Sequence, residues 1–240
     1  MNVPLHSPPP FARALVLGLA LVLSLPVLAA EAQRLLYRDE EPGIDPYVTR
    51  ILVTPGHLRM DYGEDKDDFL LYDRAADVAY NVVHSASNIV VIKSKPVVAR
   101  DDSSMKLEQR EQPTDAPDIE GRKVRHWVLT VNGNTCTDLL AVEGLAPDAV
   151  DALKGLNLIL AAQRADSMKG MPADLHNECD ATTYVHAPTR HLDFGLPVGT
   201  RNFDGRARTL MDIRVLKDVE EVLFTLPEGY QRFEMGLMGH

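Results

Sequence analysis

Residues 51–93 read ILVTPGHLRMDYGEDKDDFLLYDRAADVAYNVVHSASNIVVIK, and the turn residues inside this stretch decide the fold. Short apolar runs alternate with polar turns about every ten residues, the spacing of a strand meander. ILV stops at Thr54-Pro55-Gly56, HLRMDY at Gly63-Glu64-Asp65-Lys66-Asp67, FLLYD at Arg74-Ala75-Ala76-Asp77 and VAYNVVH at Ser85-Ala86-Ser87. NIVVIK closes the run. Connections this short allow only antiparallel pairing, because a parallel neighbour needs a crossover of about a dozen residues. Leu58, Met60 and Tyr62 alternate with Arg59 and Asp61, and Val78, Tyr80 and Val82 repeat the pattern. FLL and IVVI are apolar on both faces, which predicts a sheet covered on both sides at its middle.

Outward from the meander toward the N-terminus, 33–38 reads as a further strand, followed by the acidic link Asp39-Glu40-Glu41-Pro42-Gly43. Residues 1–29 have another character. Arg13 precedes an apolar run over 14–25, Pro26 breaks it, and Val27-Leu28-Ala29 follows. A charged start, an apolar run too short to span a bilayer and a small-residue site predict an export signal peptide and a periplasmic product. Cleavage after Ala29 or Ala30, or after Ala32, fits the small-residue rule, and an uncleaved anchor is the alternative. No cysteine precedes Cys136, so no lipobox thiol is present for acylation.

The 240-residue chain carries a formal net charge of −10, which becomes −11 without Arg13, the one charge in 1–29. That acidity argues against nucleic acid, whose phosphates require clustered Lys and Arg, and against electrostatic docking on an anionic membrane. No later stretch approaches about eighteen apolar residues, so no transmembrane segment is expected in the mature chain. What remains, 30–240, suits a single domain with a sizeable core. Cys136 and Cys179 are the two cysteines. In an oxidising compartment such a pair is most simply a disulfide.

Beyond the meander, 99–121 is the most polar stretch, with one edge strand at 106–110. Strands at 123–131 and 135–142 flank Asn132-Gly133, a strong two-residue hairpin signal. Then the period changes. Over 147–163, Ala149, Leu153, Leu156 and Leu160 recur at helical spacing, and Leu158, Ile159 and Ala162 widen the apolar stripe. Pro147 suits a first helical position, and Asp148 and Asp151 suit the positive end of the helix dipole. A loop over 165–175 and a shorter helix over 178–192, disturbed by Pro188, follow. Strands return at 196–201 and 206–217 around Asn202-Phe203-Asp204-Gly205; LFTLPEGY ends the fold, and RFEMGLMGH reads as a frayed tail.

FLLYDRAADVAYNVVHSASNIVVI, a strand, an Asp-Arg turn and two further hairpin strands, resembles the periplasmic lipoprotein-carrier superfamily, the LolA/LolB-like half-barrels. Gly195-Leu196-Pro197-Val198 before a hairpin and the closing Leu223-Phe224-Thr225-Leu226-Pro227-Glu228-Gly229-Tyr230 are similar to related outer-membrane lipoprotein-sorting-like families. The similarity covers most of 35–230. It implies an α+β fold, a curved antiparallel sheet in an open half-barrel with helices covering the concave face. The expected organisation is one such domain over 30–240 with a helical insert at about 146–194.

No Gly-x-Ser-x-Gly elbow, His-Glu-x-x-His or phosphate-cradling glycine loop occurs. The acidic turn 61–68 lacks the glycine placement and terminal glutamate of an EF-hand loop and reads as a solvated turn blunting two strand ends. His176, Cys179, His186 and His191 have spacings that zinc or copper accepts, but a disulfide would consume Cys179, so no metal or cofactor is assigned. His57, His84 and His126 read as structural. Trp127, the single tryptophan, is either a core aromatic beneath a helix or a wall of a ligand cavity.

A curved sheet under a helix can leave an apolar pocket, which makes the expected function a non-catalytic periplasmic binding protein for an acyl chain or another hydrophobic ligand. The residues expected to line it are Leu58, Met60, Tyr62, Phe69, Val78, Tyr80, Val82, Trp127, Leu156 and Leu160. The alternative is a partner module, a sensor or assembly factor that binds another envelope protein through a sheet edge or the loop 99–121. An enzyme is disfavoured, because no nucleophile–base pair or metal constellation can be assembled from these residues.

Overall fold

The computed structural model describes residues 30–93, 105–170, 172 and 177–234. The signal segment expected at 1–29, part of the polar stretch (99–104), His176 and the tail 235–240 lie outside them.

The fold is α+β, built on one open sheet of twelve strands among the described residues. The first six are β1 (Ala30–Glu41), β2 (Ile44–Val53), β3 (His57–Asp61), β4 (Phe69–Asp73), β5 (Val78–Val83) and β6 (Asn88–Lys93). The rest are β7 (Leu107–Gln112), β8 (Val124–Val131), β9 (Asn134–Val142), β10 (Leu196–Asn202), β11 (Ala207–Val219) and β12 (Gln231–Glu234). Their order across the sheet is β12-β6-β5-β4-β3-β2-β1-β11-β10-β9-β8-β7. The meander takes neighbouring places, β2 to β6, all antiparallel, as its short turns require. Asn132 and Gly133 both sit at positive φ, 50° and 84°, the backbone of a tight hairpin whose twist matches its strands.

One strand falls where a frayed tail is expected. β12 pairs with β6 in parallel, the sole parallel pair among the described strands, and Gln231 N–H donates to Ser87 O at 2.9 Å. Gln-Arg-Phe-Glu is exposed throughout and carries no buried period. Only its position after a long return connection makes it a strand, and that position cannot be read from four residues.

The helix α1 (Pro147–Lys169) lies over one face of the sheet. It starts from Ala146, held at φ 47°, with Pro147 next and Asp148 paired to Arg74 at 3.1 Å. It continues beyond Gln163 into the stretch expected as loop, because no breaker intervenes before Gly170 and Arg164 is held by Asp180 at 3.1 Å. Leu158, expected in the buried stripe, is 51% exposed. At Gly155 the helix comes close to Tyr72 of β4. A Cβ there would lie 2.4 Å from the Tyr72 hydroxyl, so only glycine lets the helix settle onto that ring.

The second helix breaks into pieces. α2 (Glu178–Ala181) is capped by the Asn177 side chain, runs into a wide π-type turn at Thr182–His186, and resumes after Pro188 as a 3-10 turn at Arg190–Phe194. Cys136 on β9 and Cys179 on α2 lie at disulfide-bonding distance, with Cα atoms 5.1 Å apart. The bond fastens this irregular segment to the sheet.

Two apolar layers result. On the α1 face, Leu35, Ile51, Val53, Leu58, Tyr72, Ala79 and Ile92 meet Ala149, Leu153, Leu156 and Ile159. On the opposite face, Leu52, Phe69, Leu71, Val82, Ile89 and Val91 are covered by Phe224 from the turn Glu221–Phe224. Both sides of the meander are covered, as FLL and IVVI predict, but a helix covers only one. No described helix is long and apolar enough to cross a membrane.

Candidate functional site

Between the sheet and α1 lies a cavity of about 730 Å³, within the range of small-molecule sites. Strand order divides it into two ends. On β2, β3 and β4, Ile51, Met60 and Leu70 form one row, each opposite the next across the ladder. Leu153, Leu156 and Leu160 of α1 also line the space. This end is apolar.

The other end is built on β1, the first half of β2, β9, β10 and β11, and it is polar. Alternation along β1 sends Tyr37 and Asp39 to the same face as Leu35. Tyr37 donates its hydroxyl hydrogen to Pro197 O at 2.9 Å. Asp39 is buried and accepts from Thr49 Oγ1 at 2.6 Å and from Arg208 Nε and Nη2 at 2.5 and 3.1 Å. The Arg208 guanidinium also stands 5.3 Å from the Tyr37 ring centre. Tyr47 donates to Glu41 Oε1 at 2.5 Å. Burial raises the Tyr37 pKa well above the ordinary phenol value, and burial together with the Glu41 bond pushes Tyr47 up to about 12. Both phenols keep their protons at neutral pH and act as hydrogen-bond donors.

His191, from the 3-10 turn, also lines the cavity. Burial, and then the Arg208 charge, push its pKa down to about 4 from 6.5. A lowered folded-state value means that the unfolded chain binds the proton first as pH falls. Stability is therefore expected to fall as pH drops from about 6.5 to about 4. His191→Gln should flatten that part of a thermal-midpoint profile.

Of the residues expected to line a cavity, Met60, Leu156 and Leu160 do so. Leu58 shares their face but is packed solid in the core at 0% exposure. Tyr62 lies just past the end of β3, 61% exposed, edge-on to Tyr47. Phe69, Val78, Tyr80 and Val82 point to the opposite face and pack under the C-terminal turn. They cannot share a cavity with Met60, because pairing places Val82 opposite Phe69 and Tyr80 opposite Leu71, a row one residue out of step with Leu70. Trp127 packs on Phe194 with ring centres 4.6 Å apart and carries the Arg125 guanidinium on its ring, away from the cavity lining. The polar end escaped sequence reading, because Tyr37 and Asp39 look like the tail of a strand running into an acidic link.

The described ligand groups considered for metal are engaged separately. Cys179 is bonded to Cys136, His191 faces the cavity, and His176 lies outside the described residues. Among the described residues no group of three or more His, Cys, Asp and Glu is arranged to hold a metal ion. In the acidic turn, Arg50 takes Asp61 and Asp65, Arg59 takes Asp61, and Asp68 accepts from His84 N–H.

Among the described residues, the fold and cavity together define an α+β protein whose open, twelve-stranded sheet holds a mixed apolar and polar space under α1. No family model matches the chain, and no curated protein matches it. Among solved structures it is similar to an uncharacterised conserved protein from Thermus thermophilus, at 10% identity and TM-score 0.44, covering 86% of this chain and 91% of that one. It is also similar to PNGF-II at 14% identity and TM-score 0.41, covering 85% of this chain and 31% of PNGF-II.

Proposed function

We propose that this protein is a non-catalytic binding protein of the cell envelope that holds a ligand with an apolar chain between its sheet and α1. The cavity of about 730 Å³ with one apolar end carries the reading. The resemblance to lipoprotein carriers points the same way, and so do the signal-like residues 1–29 and the bonded cysteine pair, which suit an oxidising periplasm. Holding, rather than chemistry, suits the groups present. Asp39 is locked by Arg208 and Thr49, and both tyrosines keep their protons. The β7 edge of the sheet carries Glu108, Arg110 and Glu111, a charged strand of the kind that blunts edges rather than recruits partners.

Titration with N-phenyl-1-naphthylamine, a neutral probe that brightens in apolar surroundings, tests the reading. Saturable binding is expected for the wild-type protein. Met60→Trp fills the space beside Leu70 and should weaken binding by about tenfold or more, equivalent to about 1.4 kcal/mol, while the thermal midpoint changes little. Leu160→Trp fills it independently from the helix side. Absent binding, or equal binding by all three proteins, would overturn the proposal.

A further inference from the structure

We infer that the polar end of the cavity takes an uncharged, hydroxyl-rich head group, so that the ligand is a neutral amphiphile such as a glycolipid or monoacylglycerol rather than a fatty-acid anion. The inference rests on the carrier reading and deepens it.

The charges lining the cavity are already balanced. Three carboxylates, Asp39, Glu40 and Glu41, and three guanidinium groups, Arg164, Arg206 and Arg208, line it. Each guanidinium is engaged: Arg208 with Asp39 at 2.5 Å, Arg206 with Glu41 at 3.2 Å, and Arg164 with Asp180 at 3.1 Å. At the buried Arg208–Asp39 pair an incoming carboxylate would have to break the pair or enter uncompensated, and burying an unpaired charge is costly. A neutral head faces no such cost.

The rest of the polar wall matches hydroxyl groups. Thr183, Tyr184, Asn157, Thr200 and Asn202 are neutral donors and acceptors around the same space; Asn202 donates to the Tyr184 hydroxyl at 3.3 Å and Asn157 to Pro188 O at 3.2 Å, and each amide and hydroxyl keeps a further hydrogen or lone pair for a ligand hydroxyl. Amides and hydroxyls each donate and accept, as sugar and glycerol hydroxyls do. The division of the walls fixes the pose: chain across Ile51, Met60 and Leu70, head toward Asp39 and Arg208.

Competition against bound N-phenyl-1-naphthylamine tests this with decyl glucoside and undecanoate, which share one alkyl chain, both below their micelle concentrations at neutral pH. The glucoside is expected to displace the probe at about tenfold lower concentration, equivalent to about 1.4 kcal/mol. Glu41→Gln leaves Arg206 without one of its carboxylates and should move the preference toward undecanoate. Glu41 is partly exposed, so this variant is expected to fold; Asp39→Asn makes the same change deeper in the site. Undecanoate competing as well as the glucoside, or a preference unmoved by Glu41→Gln, would overturn the inference while leaving the carrier reading intact. Failure of the probe itself to bind would overturn both.

Discussion

Removing the Cys136–Cys179 bond, by the double change to alanine, is expected to lower the stability of the protein by about 4 kcal/mol. The two cysteines are separated by 43 positions, and the cross-link removes the entropy that a loop of that length has in the unfolded chain. The consequence for a domain of this size is a thermal midpoint lower by about 8–16 °C. The effect reaches the cavity, because Thr183, Tyr184 and His191 enter it from the segment that Cys179 fastens to β9. Urea unfolding of the oxidised wild-type protein and the variant measures the loss. Equal midpoints would mean that the fold gains nothing from the link.

Arg59→Ala should have the next largest effect, a loss of about 3 kcal/mol, at the low end for breaking a buried ion pair because Arg50 still neutralises Asp61. Arg59 is 2% exposed on the face away from the cavity. Its Nε donates to Asp61 Oδ2 at 2.6 Å, its Nη1 donates to Leu223 O at 2.9 Å, and its guanidinium sits 3.8 Å from the Phe69 ring centre. One side chain therefore joins β3, β4 and the C-terminal turn. Burial alone would raise the Asp61 pKa, but bonds from Arg50, Arg59 and Gly63 N–H outweigh it and hold the carboxyl below its usual value. The stability this contributes is present above the ordinary carboxylate pKa and is lost as pH falls through the lower folded value. In Arg59→Ala the folded value moves back toward the ordinary one, so that acid loss should be smaller and complete at a higher pH, which urea midpoints across the acid range would show. Probe binding should be unaffected, since Arg59 does not line the cavity.

Local residues made the meander legible. Thr54-Pro55-Gly56, Asp77 and Ser87 mark turns by their own backbone preferences, and Asn132-Gly133 does the same for the β8–β9 hairpin. α1 was legible from Leu153, Leu156 and Leu160, although its end beyond Gln163 was not, because Arg164 is held by Asp180, which lies outside the helix. Which face each apolar set occupies depends on register between strands, and register is invisible when both faces are apolar. That is why Val78, Tyr80 and Val82 read as partners of Met60 when they lie on the other side of the sheet. The polar end was out of reach for a related reason. Asp39 and Arg208 lie 169 positions apart, and only the pairing of β1 with β11 makes them neighbours.

The most direct test of the central claim is where a bound chain lies. With methyl-labelled protein and decyl glucoside, nuclear Overhauser contacts from the alkyl chain are expected at Met60, Leu70, Leu156 and Leu160, which line the cavity. Contacts at Val82, Ile89 and Leu223 instead, which pack on the opposite face, would contradict the account, as would the absence of any contact between the chain and the protein.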